Sequence, residues 1–420
     1  MATTPPPNPL KHVRASDVRG AAQLAVKATS QITGVVEGVH RSVLNTMGLS
    51  SGGEPGKTGG VTGLIYKSIQ GVTGLVGKGL DKALEKLIPV LEAGATPPAE
   101  SAERDVAIAV LNGVMGDRLV DDGNPLAIGM QLRWEGQVMN WDAMPNMPGA
   151  NDRVMLFVHG LCMTDSQWLG ASADGRQVDL SVEVARKLGY TPVFLRYNTG
   201  LHISLNGREL SRQLELLVQH WPVALHEISI VAHSMGGLLS RSAVQVAPQH
   251  SATWPKLLKN LVFLGTPHHG APLERAGNWV DAILGSTPYT APYAKLAQLR
   301  SAGITDLRYG HVSDGHWVGK DRFRKSPHTR EPLPLPEGVA CYTVAATTAE
   351  SRTALADHVL GDGLVPLNSA LGHHREARHR LVFAKDSQWI IYGTGHIALM
   401  KSPAVAEQLL HWLTPASPPS

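Results

Sequence analysis

The stretch from Glu227 to Leu239, E-I-S-I-V-A-H-S-M-G-G-L-L, constrains the fold more than any other in the chain. Residues of strand character run straight into Ala232-His233-Ser234-Met235-Gly236, and a helical pattern starts at once. No loop separates the two, so strand must turn into helix within a very tight bend that carries Ser234 at its apex. Such an apex strains the backbone, and the residues two before and two after it must be small for strand and helix to approach. Gly236 meets that need, and Ala232 is the next smallest residue.

The surrounding pattern extends this unit into a sheet. Val154–Val158, Pro192–Tyr197, Ile228–Ala232, Leu261–Gly265, Cys341–Ala345 and Arg380–Phe383 read as strands. Leu180–Leu188, Gly207–Gln219, Gly236–Val246 and Ala404–Leu413 read as helices. Continuous apolar strands alternating with helices predict an α/β fold with a mostly parallel, doubly wound sheet covered on both faces. Leu126–Leu132 and Gln137–Asn140 read as early antiparallel strands, and Ala107–Leu119 as a short helix leading into the domain. From about 268 to 338 the alternation stops. This insertion carries Trp279, Tyr289 and Tyr293, ends in P-L-P-L-P, and is too long for an ordinary connection. A lid or binding element is expected there.

The remainder divides by composition. With 420 residues, 43% hydrophobic and 17% charged, the chain is globular. Residues 1–20 are Pro-rich and polar, and disorder is expected. Across 21–95, Ile32, Val36, Val39, Val43 and Met47 recur at helical spacing, as do Ile65, Ile69, Val72, Val76, Leu80, Leu84, Leu87 and Leu91. They predict an amphipathic helical hairpin. Its reading is a packing element, with a lid or peripheral docking on a lipid surface as the sharper alternatives. Residues 96–104 read as a linker and 105–420 as the main domain. S-G-G-E-P-G-K-T at 51–58 lacks the first glycine of a phosphate-cradling loop and no strand precedes it, so no nucleotide is expected.

A formal net charge of +3, with Lys and Arg dispersed, gives no basic tract for nucleic acid. Cys162 and Cys341 lie in apolar surroundings far apart, which argues against a disulfide and suits a reducing compartment. The start of the chain lacks a basic and apolar leader, and no apolar run approaches a spanning length. The expectation is a cytoplasmic protein.

Ser234 needs a base, a group that orients the base, and donors for a developing oxyanion. On a doubly wound sheet these come from loops at the carboxyl ends of strands. The strand–serine–helix turn resembles the nucleophile elbow of α/β-hydrolases, and that resemblance implies the chain order serine, acid, histidine. Asp362, in G-D-G-L-V-P, follows the Cys341–Ala345 strand and is the acid, with Asp357 and Asp386 as alternatives. His396, in Y-G-T-G-H-I-A-L-M, follows the last strand and is the base. His373, His374 and His379 precede that strand in an Arg-rich stretch and read as surface residues. The N–H groups of Met235 and of Leu161, in H-G-L after Val154–Val158, are the oxyanion donors.

In order, V-H-G-L, A-H-S-M-G-G, G-T-P-H-H-G-A-P, D-G-L-V-P and G-H-I-A-L resemble the lipase and esterase branch of the α/β-hydrolase superfamily. The G-T-P-H-x-G-x-P element is similar to that of bacterial lipases and of lipase-like proteins related to the GPI inositol deacylases. The resemblance covers about 105–413. It implies a serine hydrolase that cleaves carboxylic esters of a lipid or other apolar substrate through an acyl-enzyme. An acyltransferase with the same triad, and a non-catalytic lipid-surface protein, are the alternatives. His159, His233, Trp279, Tyr289 and Tyr293 are the candidate pocket or lid residues. His268 and His269 hint at a metal, but no ligand spacing supports one. No cofactor is expected.

Overall fold

The structure is a computed structural model that describes residues 16–17, 19–20, 23, 102–144, 146–169, 179–271, 301–319, 331–351 and 361–414. Nearly all of 1–20 and 21–95, most of the insertion including Trp279, Tyr289 and Tyr293, and the alternative acid Asp357 lie outside the described residues. The chain divides into two compact units, Met1–Ile128 with Val280–Ser301, and Gly129–Trp279 with Ala302–Ser420.

In the first unit, helix α1 (Ala102–Asp121) begins inside the expected linker. Leu111, Met115 and Leu119 on its apolar face bury against Leu126. Asn112 is fully buried: its Nδ2 donates to the carbonyls of Ile108 (2.9 Å) and Leu126 (2.8 Å), and its Oδ1 accepts from Ile128 N–H (2.9 Å). These bonds fold residues 124–128 back onto α1, so Leu126–Gly129 is no strand and the unit closes at Ile128. Arg104 adds an ion pair to Asp17 at 2.6 Å.

The second unit is built on an eight-stranded sheet. Its strands are β1 (Gln131–Trp134), β2 (Gln137–Val138), β3 (Arg153–Val158), β4 (Thr191–Arg196), β5 (Glu227–His233), β6 (Leu258–Leu264), β7 (Ala340–Ala346) and β8 (Gln388–Ile391). The order is β2-β1-β4-β3-β5-β6-β7-β8. All neighbours from β4 to β8 pair in parallel, and β1 runs antiparallel to both of its neighbours. Glu135 and Gly136, with φ of 47° and 77°, close the β1–β2 hairpin in the doubly left-handed turn that matches strand twist.

The last strand is displaced from its expected position. Residues 380–383 pair with no strand; Leu381 and Phe383 pack inward while Val382 between them is 86% exposed. Gln388–Ile391 takes the edge position instead, in register Thr343↔Gln388 to Ala346↔Ile391. His379 is buried at 7%, contrary to its surface reading, since its ring turns inward beside His374.

The period-two alternation of each strand sorts two cores. Val154, Leu156, Val158, Ile228, Ile230 and Ala232 pack with helices α3 (Ile203–His220) and α4 (Met235–Val246). Met155, Phe157, Val231, Val262 and Leu264 pack with α2 (Leu180–Lys187) and α7 (Pro403–Leu413). Two further helices, α5 (Ala302–Tyr309) and α6 (Leu367–Ala370), lie between β6 and β8 in sequence. This is the α/β-hydrolase fold, and it brings the loops after β3, β5, β6 and β7 to one edge of the sheet. Among the described residues no helix is long and apolar enough to cross a membrane.

Candidate active site

Ser234 sits where β5 becomes α4, at φ 54° and ψ −122°. A non-glycine residue in that region is strained, and it persists because its surroundings over-determine it. Ser234 N–H donates to Leu264 O (2.8 Å) and its carbonyl accepts from Gly237 N–H (3.0 Å). Close approach explains Gly236: a Cβ there would meet the carbonyls of Val158 and His159 at 2.7 Å. The elbow is therefore wedged between the end of β3 and the end of β6. Ala232 is wholly buried and its place in the β5 ladder is regular, so the departure from glycine costs no pairing.

The candidate acid and base follow β7 and β8. Gly361 O accepts from Thr348 N–H (3.2 Å), which ties the Asp362 turn back to the end of β7. Asp362 Oδ1 accepts the N–H groups of Leu364 (3.0 Å) and Val365 (2.8 Å). Its Oδ2 accepts from His396 Nδ1 at 2.6 Å. A main-chain bond from His396 N–H to Asp362 O (3.0 Å) doubles the link. Asp362, His396 and Ser234 are 3%, 5% and 5% exposed, so the set is preorganised at a nearly closed surface. Asp386 is exposed and its carbonyl is taken by Trp412 Nε1, away from the histidine.

The loop after β3 faces the elbow. A Cβ on Gly160 would lie 3.1 Å from Ser234 Cβ, which places this backbone against the serine. Leu161 and Met235 are buried, and among the described residues neither N–H meets a hydrogen-bond acceptor. Met235 N–H also opens α4, at the positive end of its dipole. Cys162 follows with φ 59°, and its N–H is held by Thr199 Oγ1 at 3.1 Å. Burial pushes the Cys162 thiol up to about 12, so it is an inert packing group.

Two candidate pocket residues take other places. His159 is fully buried, stacks on Tyr197 at 4.5 Å, and gives its Nδ1–H to Gly160 O (2.9 Å). Burial holds its imidazole down to about 4, so the ring is neutral. His233 is also fully buried and donates from Nε2 to the main-chain carbonyl of His396 (3.0 Å). Neither ring lines an opening; both brace the loops around Ser234, because β5 and β3 end inside the core.

Several contributing residues carry no motif. Asp165 is buried between Arg133 (3.2 Å) and Arg196 (2.5 Å), and pins the loop that follows Leu161. Asp306 of α5 accepts from Ile203 N–H (2.9 Å) and bridges His202 (3.0 Å) and His311 (3.2 Å). Apart from His311, five residues from Asp306, these partners lie far apart in sequence, so no spacing exposes them. Gly265, read from sequence as the end of the Leu261–Gly265 strand, lies just after β6 and against Asp362 and His396, a neighbourhood that no motif announces. Among the described residues no group of three or more His, Cys, Asp or Glu is placed to hold a metal ion.

Residues 149–293 match the model of the PGAP1-like alpha/beta domain family. No curated protein matches the chain by sequence. Among solved structures, the chain is similar to a mature-form lipase of Bacillus licheniformis, with 18% identity over 68% of this chain and 98% of that one, at a TM-score of 0.41. Phospholipase PlaB of Legionella pneumophila aligns at 16% identity over 62% of this chain and 59% of its own, with a TM-score of 0.39. An alpha/beta hydrolase superfamily protein of Enterococcus faecalis aligns at 14% identity over 68% of this chain and 94% of its own, with a TM-score of 0.34.

Proposed function

We propose that this α/β-hydrolase-fold chain is a serine hydrolase of carboxylic esters carrying lipid-like or other apolar acyl groups. The observation that carries the reading is the 2.6 Å Asp362–His396 bond, set beside a serine held at a strained strand-to-helix apex. Structural aspartates and histidines pair elsewhere in this chain, but those pairs do not stand next to a buried, strained serine.

In this reading Ser234 Oγ attacks the ester carbonyl while His396 Nε2 takes its proton. The Asp362 carboxylate keeps the proton on Nδ1 and stabilises the imidazolium that forms. Leu161 and Met235 N–H groups receive the oxyanion, where each preorganised donor contributes roughly 3–4 kcal/mol to the barrier reduction. Collapse of the tetrahedral intermediate leaves an acyl-serine, and His396 returns the proton to the departing alcohol. Water, activated by the same histidine, then releases the acid and restores the serine.

The test is turnover of p-nitrophenyl esters of graded chain length by the wild type and by Ser234→Ala. Loss of turnover in the variant, with preference for longer chains, supports the reading. Equal activity in both proteins refutes it. Addition of an acceptor alcohol separates hydrolysis from acyl transfer by the product formed. Turnover in solution and on emulsions, with and without residues 1–95, tests whether 21–95 docks on lipid.

A further inference from the structure

His233 is the residue whose structural role its sequence position least explains. It precedes the nucleophile and is wholly buried, yet it is neither a core apolar residue nor a pocket wall. Its Nε2 lies 3.0 Å from the main-chain oxygen of His396, 163 residues away in sequence. A carbonyl only accepts, so Nε2 carries the proton and Nδ1 is bare. The two imidazole rings are 4.6 Å apart at 48°. Nδ1 faces Gly160, whose missing Cβ would sit 3.1 Å from it, and finds no hydrogen-bond partner among the described residues.

We infer that His233 is a positioning residue, which ties the base-bearing loop directly to the strand that carries the nucleophile. The inference rests on the reading of Ser234, Asp362 and His396 as a triad. His396 has four polar groups. Its N–H is bonded to Asp362 O, its Nδ1 to Asp362 Oδ2, and its carbonyl to His233 Nε2. Only Nε2 is left for the reaction. The two Asp362 bonds set the histidine relative to β7, but neither one refers it to β5. The His233 bond does, and because His233 is covalently next to Ser234 it sets base against nucleophile through a single peptide unit.

The neutrality of His233 belongs to the same design. Burial, reinforced by the neighbouring His396, holds its imidazole well below the ordinary value. A cation here would oppose the imidazolium that His396 must become, whereas a neutral ring supplies an N–H donor without that penalty. A glutamine side chain can place a donor near the same point, and methionine has similar length without one.

The experiment compares wild type, His233→Gln and His233→Met. Two readouts are used: kcat and KM on a p-nitrophenyl ester, and the far-downfield proton resonance of the His396–Asp362 bond. The Met variant is expected to lose about tenfold to a hundredfold in kcat with KM little changed, since a small misplacement of a reacting group costs that order of rate. Its resonance shifts or broadens. The Gln variant recovers most of the kcat and the resonance. A merely structural role would lower thermal stability in both variants and move neither readout; that result overturns the inference. Should the Met variant not fold, the Gln variant decides, because loss of the resonance there also overturns it. If the wild type turns over no ester and Ser234 takes no fluorophosphonate, the hydrolase reading fails, and the resonance alone still decides whether His233 holds the Asp362–His396 pair.

Discussion

Substituting Gly265 by Ala probes the site through a residue that performs no chemistry. Gly265 lies after β6 at φ 59°, with its N–H bonded to Val344 O at 2.9 Å. An added Cβ would stand 3.2 Å from Asp362 Oδ2, 3.2 Å from His396 Cε1 and 2.9 Å from Leu399 Cδ1. The leucine methyl can swing away. The carboxylate, which accepts three hydrogen bonds, and the imidazole bonded to it are less free to move, so the pair must give by a few tenths of an ångström. Two costs follow. The left-handed backbone costs an Ala about 1–2 kcal/mol, equivalent to a melting shift of about 2–4 °C per kcal/mol in a domain of about 150–250 residues. Under the proposed mechanism, displacement of the Asp362–His396 pair is expected to lower kcat about tenfold to a hundredfold. Gly393→Ala separates the two effects, since Gly393 shares the φ of 59° but a Cβ there meets nothing within 4 Å. Both variants should lose similar stability in a thermal melt, and only Gly265→Ala should lose turnover of a p-nitrophenyl ester. Wild-type kcat in Gly265→Ala, or an equal fall in Gly393→Ala, refutes the placement of the pair against β6.

Two further outcomes are open to direct measurement. His159 should make the fold acid-sensitive: above its unfolded value of about 6.5 neither state holds the proton, while between there and about 4 only the unfolded chain binds it. At about 1.4 kcal/mol per pH unit this costs about 3 kcal/mol on acidification; urea midpoints from pH 7 to 4 should fall less steeply in His159→Phe, and parallel slopes would rule the effect out. Asp165→Ala removes a carboxylate shared by Arg133 and Arg196, and breaking such a buried pair costs about 3–5 kcal/mol. The chevron or urea midpoint reads that loss, and a change within about 0.5 kcal/mol would mean the arginines are held by other partners.

The limits of sequence reading show in particular residues. The strands around Ser234 were legible because parallel strands buried on both faces are continuous apolar runs, and such runs cannot serve as loops. Arg380–Phe383 has the same look over four residues, yet loses to Gln388–Ile391. Edge strands are short and half-covered, so pairing and not composition chooses between them. The division at Ile128 escaped for a related reason: a single buried asparagine, Asn112, folds its neighbours back, and one polar residue in an apolar helix has no periodic signature.

What the sequence by itself determined was the sharp bend at Ser234 and the order in which an acid and a histidine follow it. Those are local properties: small residues where backbones must touch, glycine-flanked turns, and apolar runs of fixed length. The tertiary structure alone decided which groups meet. It joined Asp362 to His396, set Gly265 against that pair and Gly160 against Ser234, and placed His233 under the histidine loop. Hydrogen bonds and contacts of that kind span up to 163 residues. They depend on the closing of the sheet, whose geometry no short stretch of chain encodes.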